Sequence, residues 1–141
     1  MAVGKVSLVG VGPGDPELVT RRAERVLREA DIVYHPGRDE RTGFAFRIVQ
    51  DLLTPQTIVR GVAVEMAEAA DRYETLAAEL ATAARAGQRV AFITEGDPLV
   101  YSTASRLLII LQNYWPDIAI EIVPGVTSLS AAAAAAGQSL V

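Results

Sequence analysis

The chain has no cysteine. That excludes disulfides, iron–sulfur clusters and thiolate nucleophiles, and it fits a reducing compartment. A single histidine, His35, rules out a site built on two or three imidazoles. Of thirteen cationic side chains only Lys5 is a lysine. No G-K-[ST] occurs, so Walker-type phosphate binding is excluded and lysine Schiff-base chemistry nearly so. Long hydrophobic runs are missing too. Leu107–Leu111 and Leu129–Gly137 fall well short of the ~20 residues a bilayer helix needs. Gly4, Gly10 and Gly12 interrupt the N-terminus where an export signal has an unbroken apolar core. No membrane partner is expected, and the expected location is the cytoplasm. A formal net charge of −4 argues against a nucleic-acid partner, because neutralising phosphates needs a basic face.

What is present is an ordinary globular composition. Half of the 141 residues are hydrophobic and 21% are charged. That length suits one domain, burying ~68–70% of its unfolded surface. Five β-branched runs stand out: Lys5–Val9, Asp31–Tyr34, Thr57–Arg60, Arg89–Ile93 and Ile118–Val123. The first four are nearly continuous and suit strands buried on both faces. The last alternates, with Ile118, Ile120 and Ile122 on one face, as an edge strand does.

Helical periodicity fills the gaps. Ala23, Val26, Leu27 and Ala30 share one face, with Arg21, Arg22, Arg25 and Arg28 on a solvated one. Met66, Ala70, Tyr73, Ala77, Leu80 and Ala84 mark a long helix that stops at Gly87. Further helices are expected at Gly43–Leu53, Thr103–Asn113 and Thr127–Ala136. Strands alternating with helices predict an α/β fold, an open five-stranded parallel sheet with helices on both faces.

In such a sheet, ligands bind beyond the carboxyl ends of the strands. Three loops there are built alike: Gly10-Val11-Gly12-Pro13-Gly14-Asp15-Pro16, Glu95-Gly96-Asp97-Pro98 and Pro124-Gly125-Val126-Thr127-Ser128. Each is a glycine turn leading into a helix. Taken singly, each reads as a tight turn with a helix cap, since Asp15, Asp97 and Thr127 are good N-cap types. Three together on one sheet edge point to a ligand cleft. A dinucleotide fingerprint G-x-G-x-x-G would need glycine at position 15, which is Asp15. The ribose-binding acid expected after the second strand is replaced by His35-Pro36. His35 alone reads as a capped loop residue more readily than as a catalyst. Tyr101 and Ser102 are placed to contact a ligand, with Ser102 also placed to cap the next helix. Arg38, Arg41 and Arg47 offer a weak signal for a polyanionic substrate.

VGVGPGDPELVT at Val9–Thr20, ITEGDPLVYST at Ile93–Thr103 and EIVPGVTSLSAAAAAAG at Glu121–Gly137 resemble the three signatures of the tetrapyrrole (corrin and porphyrin) methyltransferases. The resemblance covers essentially the whole chain. Tyr101-Ser102-Thr103, His35-Pro36 and Val126–Ser130 are similar to the precorrin-2 C(20)-methylating branch. The uroporphyrinogen III branch usually carries an aspartate where Pro36 stands, and the departure removes that branch's acid–base residue.

The resemblance implies strand order 3-2-4-1-5 and S-adenosyl-methionine as methyl donor, with no metal. Its implied contacts are Pro13, Glu95, Gly96, Asp97, Val100, Thr127 and Ser128. It implies a tetrapyrrole substrate, precorrin-2 or cobalt-precorrin-2, and a homodimer. The catalytic base is left open among Tyr101, His35 and Asp97. The family's second domain implies that residues 1–136 are an N-terminal domain and 137–141 the start of a linker. Alternatives are another tetrapyrrole methylase, such as a uroporphyrinogen III or precorrin-4 type, or a noncatalytic donor-binding module.

Overall fold

The computed structural model describes residues 4–63 and 69–141. Five strands form one parallel sheet: β1 (Lys5–Gly10), β2 (Ile32–Pro36), β3 (Ile58–Val62), β4 (Val90–Thr94) and β5 (Ala119–Val123). Their order is β3-β2-β4-β1-β5, as the motifs implied. The helices are α1 (Arg21–Glu29), α2 (Phe44–Val49), α3 (Ala69–Arg85), α4 (Thr103–Tyr114) and α5 (Ser128–Ala136). Single 3₁₀ turns at Pro16–Leu18 and Gln50–Leu52 complete the chain. The first was not anticipated. The second ends the helix expected over Gly43–Leu53 as a tightened turn.

Side-chain alternation sorts each strand onto two layers. Val6, Leu8, Ile32, Tyr34, Val90 and Phe92 pack beneath α3 and α4, with Leu76, Leu80, Leu107 and Leu111. Val9, Val33, Ala91 and Ile93 face the other way, onto Val26 and Leu27 of α1 and Ile48 and Val49 of α2. Because β1, β2 and β4 are covered on both sides, their sequences read as continuous apolar runs.

β3 corrects that reading. It is the sheet's second edge, Ile58 is 39% exposed, and Arg60 is exposed. An outermost strand has one uncovered flank, so a β-branched run alone does not guarantee burial. Thr57 lies before the strand, where its hydroxyl accepts the Thr54 N–H at 3.1 Å. β5 is the opposite edge, as expected, with Lys5 and Glu121 paired across it at 3.1 Å.

The arginine face of α1 is solvated, and Arg28 pairs with Glu24 at 2.9 Å. α3 ends as the glycine signal indicated: Gly87 has φ +92, and its N–H reaches the Ala84 carbonyl at 3.0 Å. The expected contribution of Met66 to this helix lies outside the described residues.

Two buried phenols respond to alkali. Burial pushes Tyr34 above the usual 10.0, and the adjacent Glu79 carboxylate adds to the shift. Burial likewise raises Tyr73. Both phenols hold their protons more tightly in the folded chain than in the unfolded one. Their contribution is complete below pH 10.0 and is lost as pH climbs from there through the raised folded-state value. Melting temperature should therefore fall more steeply above pH 10.0 in the wild type than in a Tyr34→Phe/Tyr73→Phe double variant. Parallel melting curves for the two proteins across that range would contradict this.

Candidate functional site

β1, β4 and β5 lie side by side, so their three glycine loops emerge together at one edge. They interlock through backbone. Gly96 N–H donates to the Gly12 carbonyl at 2.8 Å, and Gly12 N–H returns a bond to the Gly96 carbonyl at 3.3 Å. Gly125 presses on the same carbonyl oxygen so closely that a Cβ there would overlap it. A Cβ on Gly10 would stand 2.5 Å from it. These glycines are required by close approach: one carbonyl sits among three chain segments.

Asp97 locks the arrangement. One carboxylate oxygen accepts the Gly125 N–H at 2.9 Å, and the other accepts the Leu99 N–H at 2.9 Å. The second loop is thereby tied to the third. Asp97 is not a helix cap, which corrects that expectation. The cap of α4 is Ser102, whose Oγ accepts the Ala104 N–H at 3.0 Å and bonds Thr94 Oγ1 at 3.0 Å. Asp15 and Thr127 do cap, accepting the N–H groups of Glu17 at 2.9 Å and Ser130 at 3.2 Å.

The interlocked loops enclose a cleft of about 260 Å³, lined by Pro13, Glu95, Gly96, Asp97, Val100, Tyr101, Thr127, Ser128 and Leu129. All seven residues carried over from the motifs are on this wall. Leu129 was not foreseen; its place in the first turn of α5, directly after Ser128, was the available signal. The lining holds two carboxylates, Glu95 and Asp97, and no cationic side chain. Backbone N–H groups at the start of α5 lack intrahelical acceptors, as in any helix, and suit a carboxylate. A larger cavity of about 560 Å³ lies beside α3, lined by Tyr34, Arg60, Arg72 and Glu79 among others. It is more open to solvent and includes none of the glycine loops.

Tyr101 sits on the rim of the smaller cleft. Its ring is fully exposed, and its φ of +48 makes it the one described non-glycine residue in the left-handed region. That conformation costs an L-residue roughly 1–2 kcal/mol.

His35 is elsewhere. It is fully buried, with Nε2 2.7 Å from the Glu40 carbonyl and Nδ1 3.2 Å from that of Pro36. The shorter contact assigns Nε2–H as the donor. The ring stacks on Phe46 at 5.1 Å. Walled in this way it cannot reach a substrate, which corrects its candidacy as a base. It pins the loop after β2. Arg38, Arg41 and Arg47 are exposed, and none lines the cleft.

Residues 5–141 match the family model of the tetrapyrrole (corrin/porphyrin) methylases. The chain belongs to that family. It is 40% identical to the cobalt-precorrin-2 C(20)-methyltransferase of Salmonella typhimurium, over 97% of this chain and 59% of the relative. The structure of a cobalt precorrin-4 methyltransferase matches with TM-score 0.76 and 31% identity, over 97% of this chain and 52% of that one. The uroporphyrin-III C-methyltransferase of Thermus thermophilus, complexed with S-adenosyl homocysteine, matches with TM-score 0.64 and 35% identity, over 92% of this chain and 51% of that one. The chain thus spans little more than half the length of these tetrapyrrole methylases.

Two substitutions probe the interlock. Gly125→Ala forces a methyl group into the Gly96 carbonyl and should cost about 1–3 kcal/mol of stability. Calorimetric melting checks this; an unchanged midpoint would mean the loops are not in contact. Asp97→Ala should lower stability by about 1.5–3 kcal/mol, with Asp97→Asn losing less because its amide oxygen still accepts one N–H. Equal losses from both would show that charge, and not the two hydrogen bonds, is what Asp97 supplies.

Proposed function

We propose that this chain is the donor-binding part of an S-adenosyl-methionine-dependent C-methyltransferase. Its proposed substrate is precorrin-2 or cobalt-precorrin-2, methylated at carbon 20 in cobalamin biosynthesis. One observation carries the reading: the motif residues of three separate loops form a single cleft whose charged side chains are both acidic. A sulfonium cation suits that field, whereas the phosphates of a dinucleotide would be repelled by it. The Salmonella relative, at 40% identity, favours the precorrin-2 branch over the uroporphyrinogen-III and cobalt-precorrin-4 methylases, which match at 36% and 32%.

In this reading the donor supplies an electrophilic methyl group on sulfur. A ring carbon of the tetrapyrrole attacks it, the carbon–sulfur bond breaks, and the ring later loses a proton. The chain's part is in-line positioning. Pro13 borders the donor from the first loop. Glu95 and the Gly96 backbone receive its ribose and amino-acid portion, Val100 closes over it, and Thr127 and Ser128 complete the pocket. Asp97 acts through Gly125 and Leu99, holding the other walls in place. Tyr101 and Asp97 remain the base candidates at the cleft, and Asp97's carboxylate is already engaged by two N–H groups.

The proposed enzyme has two domains, with residues 1–136 forming the first. α5 supports this. It is built of leucine, alanine and serine, and none of its residues is buried. A groove of about 460 Å³ runs along it, lined by Leu129, Ala132, Ala133, Ala136 and Leu140 among others, and shares Ser128 and Leu129 with the cleft. A second domain seated there would bury that face and supply the cleft's other wall. The proposed setting is cytoplasmic and the proposed assembly a homodimer.

The test is methyl transfer to precorrin-2 by residues 1–141, alone and with a supplied second half. The chain alone should bind S-adenosyl-homocysteine weakly and turn over nothing, because each 1.4 kcal/mol of missing contact costs about tenfold in affinity. It should also self-associate through α5. Full turnover by residues 1–141 alone would overturn the two-domain cleft, and no binding of S-adenosyl-homocysteine at all would overturn the donor assignment.

A further inference from the structure

We propose that Tyr101 is a positioning residue for the acceptor: its ring is the platform on which one face of the macrocycle lies as it approaches the methyl donor. The proposal rests on the donor assignment above and adds a part for a side chain that is fully exposed.

Tyr101 is suspended between two anchors. On one side, the turn at Asp97 is fixed by bonds from Leu99 N–H and Gly125 N–H and by Val100 N–H reaching the Asp97 carbonyl at 3.3 Å. On the other, Ser102 is fixed by Thr94 and by its role as the α4 cap. The chain between them reaches its second anchor with Tyr101 at φ +48, where glycine or asparagine fits and a tyrosine is strained. The strain is not offset by packing, because the ring is wholly in solvent. Unrelieved strain of this kind is typical of positions set by function.

Geometry selects the ligand. In the donor assignment above the donor fills the cleft between Pro13, Gly96 and Thr127, and the lining carries exposed Val100, Tyr101 and Leu129. The acceptor must come to the methyl group from outside, across this apolar rim. An aromatic ring there offers a face for offset stacking on a pyrrole ring of the macrocycle. It meets the acceptor at the rim of the donor cleft, which it borders from the outside.

The test uses the 141-residue chain with two probes, S-adenosyl-homocysteine for the donor and uroporphyrin III as a stable planar acceptor. Tyr101→Phe keeps the ring. Tyr101→Gly removes it, keeps the backbone conformation and relieves the strain, so it should fold at least as well as the wild type. Uroporphyrin should bind the wild type and Tyr101→Phe alike and Tyr101→Gly about tenfold more weakly. S-adenosyl-homocysteine should bind all three within about twofold, a factor small against the tenfold expected for the acceptor. Equal uroporphyrin binding by Tyr101→Gly, no binding by the wild type, or a loss confined to S-adenosyl-homocysteine would each overturn the proposal. A wild type that binds uroporphyrin but not S-adenosyl-homocysteine would instead overturn the donor assignment.

Discussion

The carbonyl oxygen of Gly96 is the point on which the site depends. Three loops from three strands meet around it: its own, the first through a hydrogen bond from Gly12 and the close approach of Gly10, and the third through the close approach of Gly125. No side chain fits at those contacts, so the loops approach to backbone distance and their N–H groups and carbonyls become the wall of the cleft. The sheet makes this possible, because β4, β1 and β5 are consecutive in space although the chain visits them far apart.

Around that junction the polar residues divide by task. Asp97, Ser102 and Thr94 satisfy one another's neighbourhoods and hold the loops in register. With Thr94 buried and Asp97 and Ser102 half-buried, polar groups bonded in this way are costly to disturb, which makes them frame and not reagent. Glu95 and the rim residues are left facing outward, available to a ligand. The same division explains His35, whose two ring nitrogens face backbone carbonyls and whose ring is stacked on Phe46.

α5 is built of leucine, alanine and serine. An apolar helix with no buried residue leaves a face that is costly in water. Its start, at Thr127 and Ser128, is also part of the cleft wall. Covering the helix and completing the site are therefore one event in the proposed enzyme.

The sequence by itself determined the fold class, the five strands and the three loops. Burial on both faces writes continuous apolar runs, and glycine-rich turns before helix caps are local features that need no distant partner to be recognised. The motif residues were legible for the same reason: they cluster in three short stretches. What only the tertiary structure decided were the relations between stretches. That Asp97 binds the N–H of Gly125, 28 residues away, has no local signature. Nor does the exposed flank of β3, because a strand's place in the sheet is set by the whole topology. The burial of His35 depends on a loop folding back over it, and the strain at Tyr101 on two anchors fixed by different elements. Such features arise from closure of the chain upon itself, where the position of each residue is set by partners the linear order does not bring near.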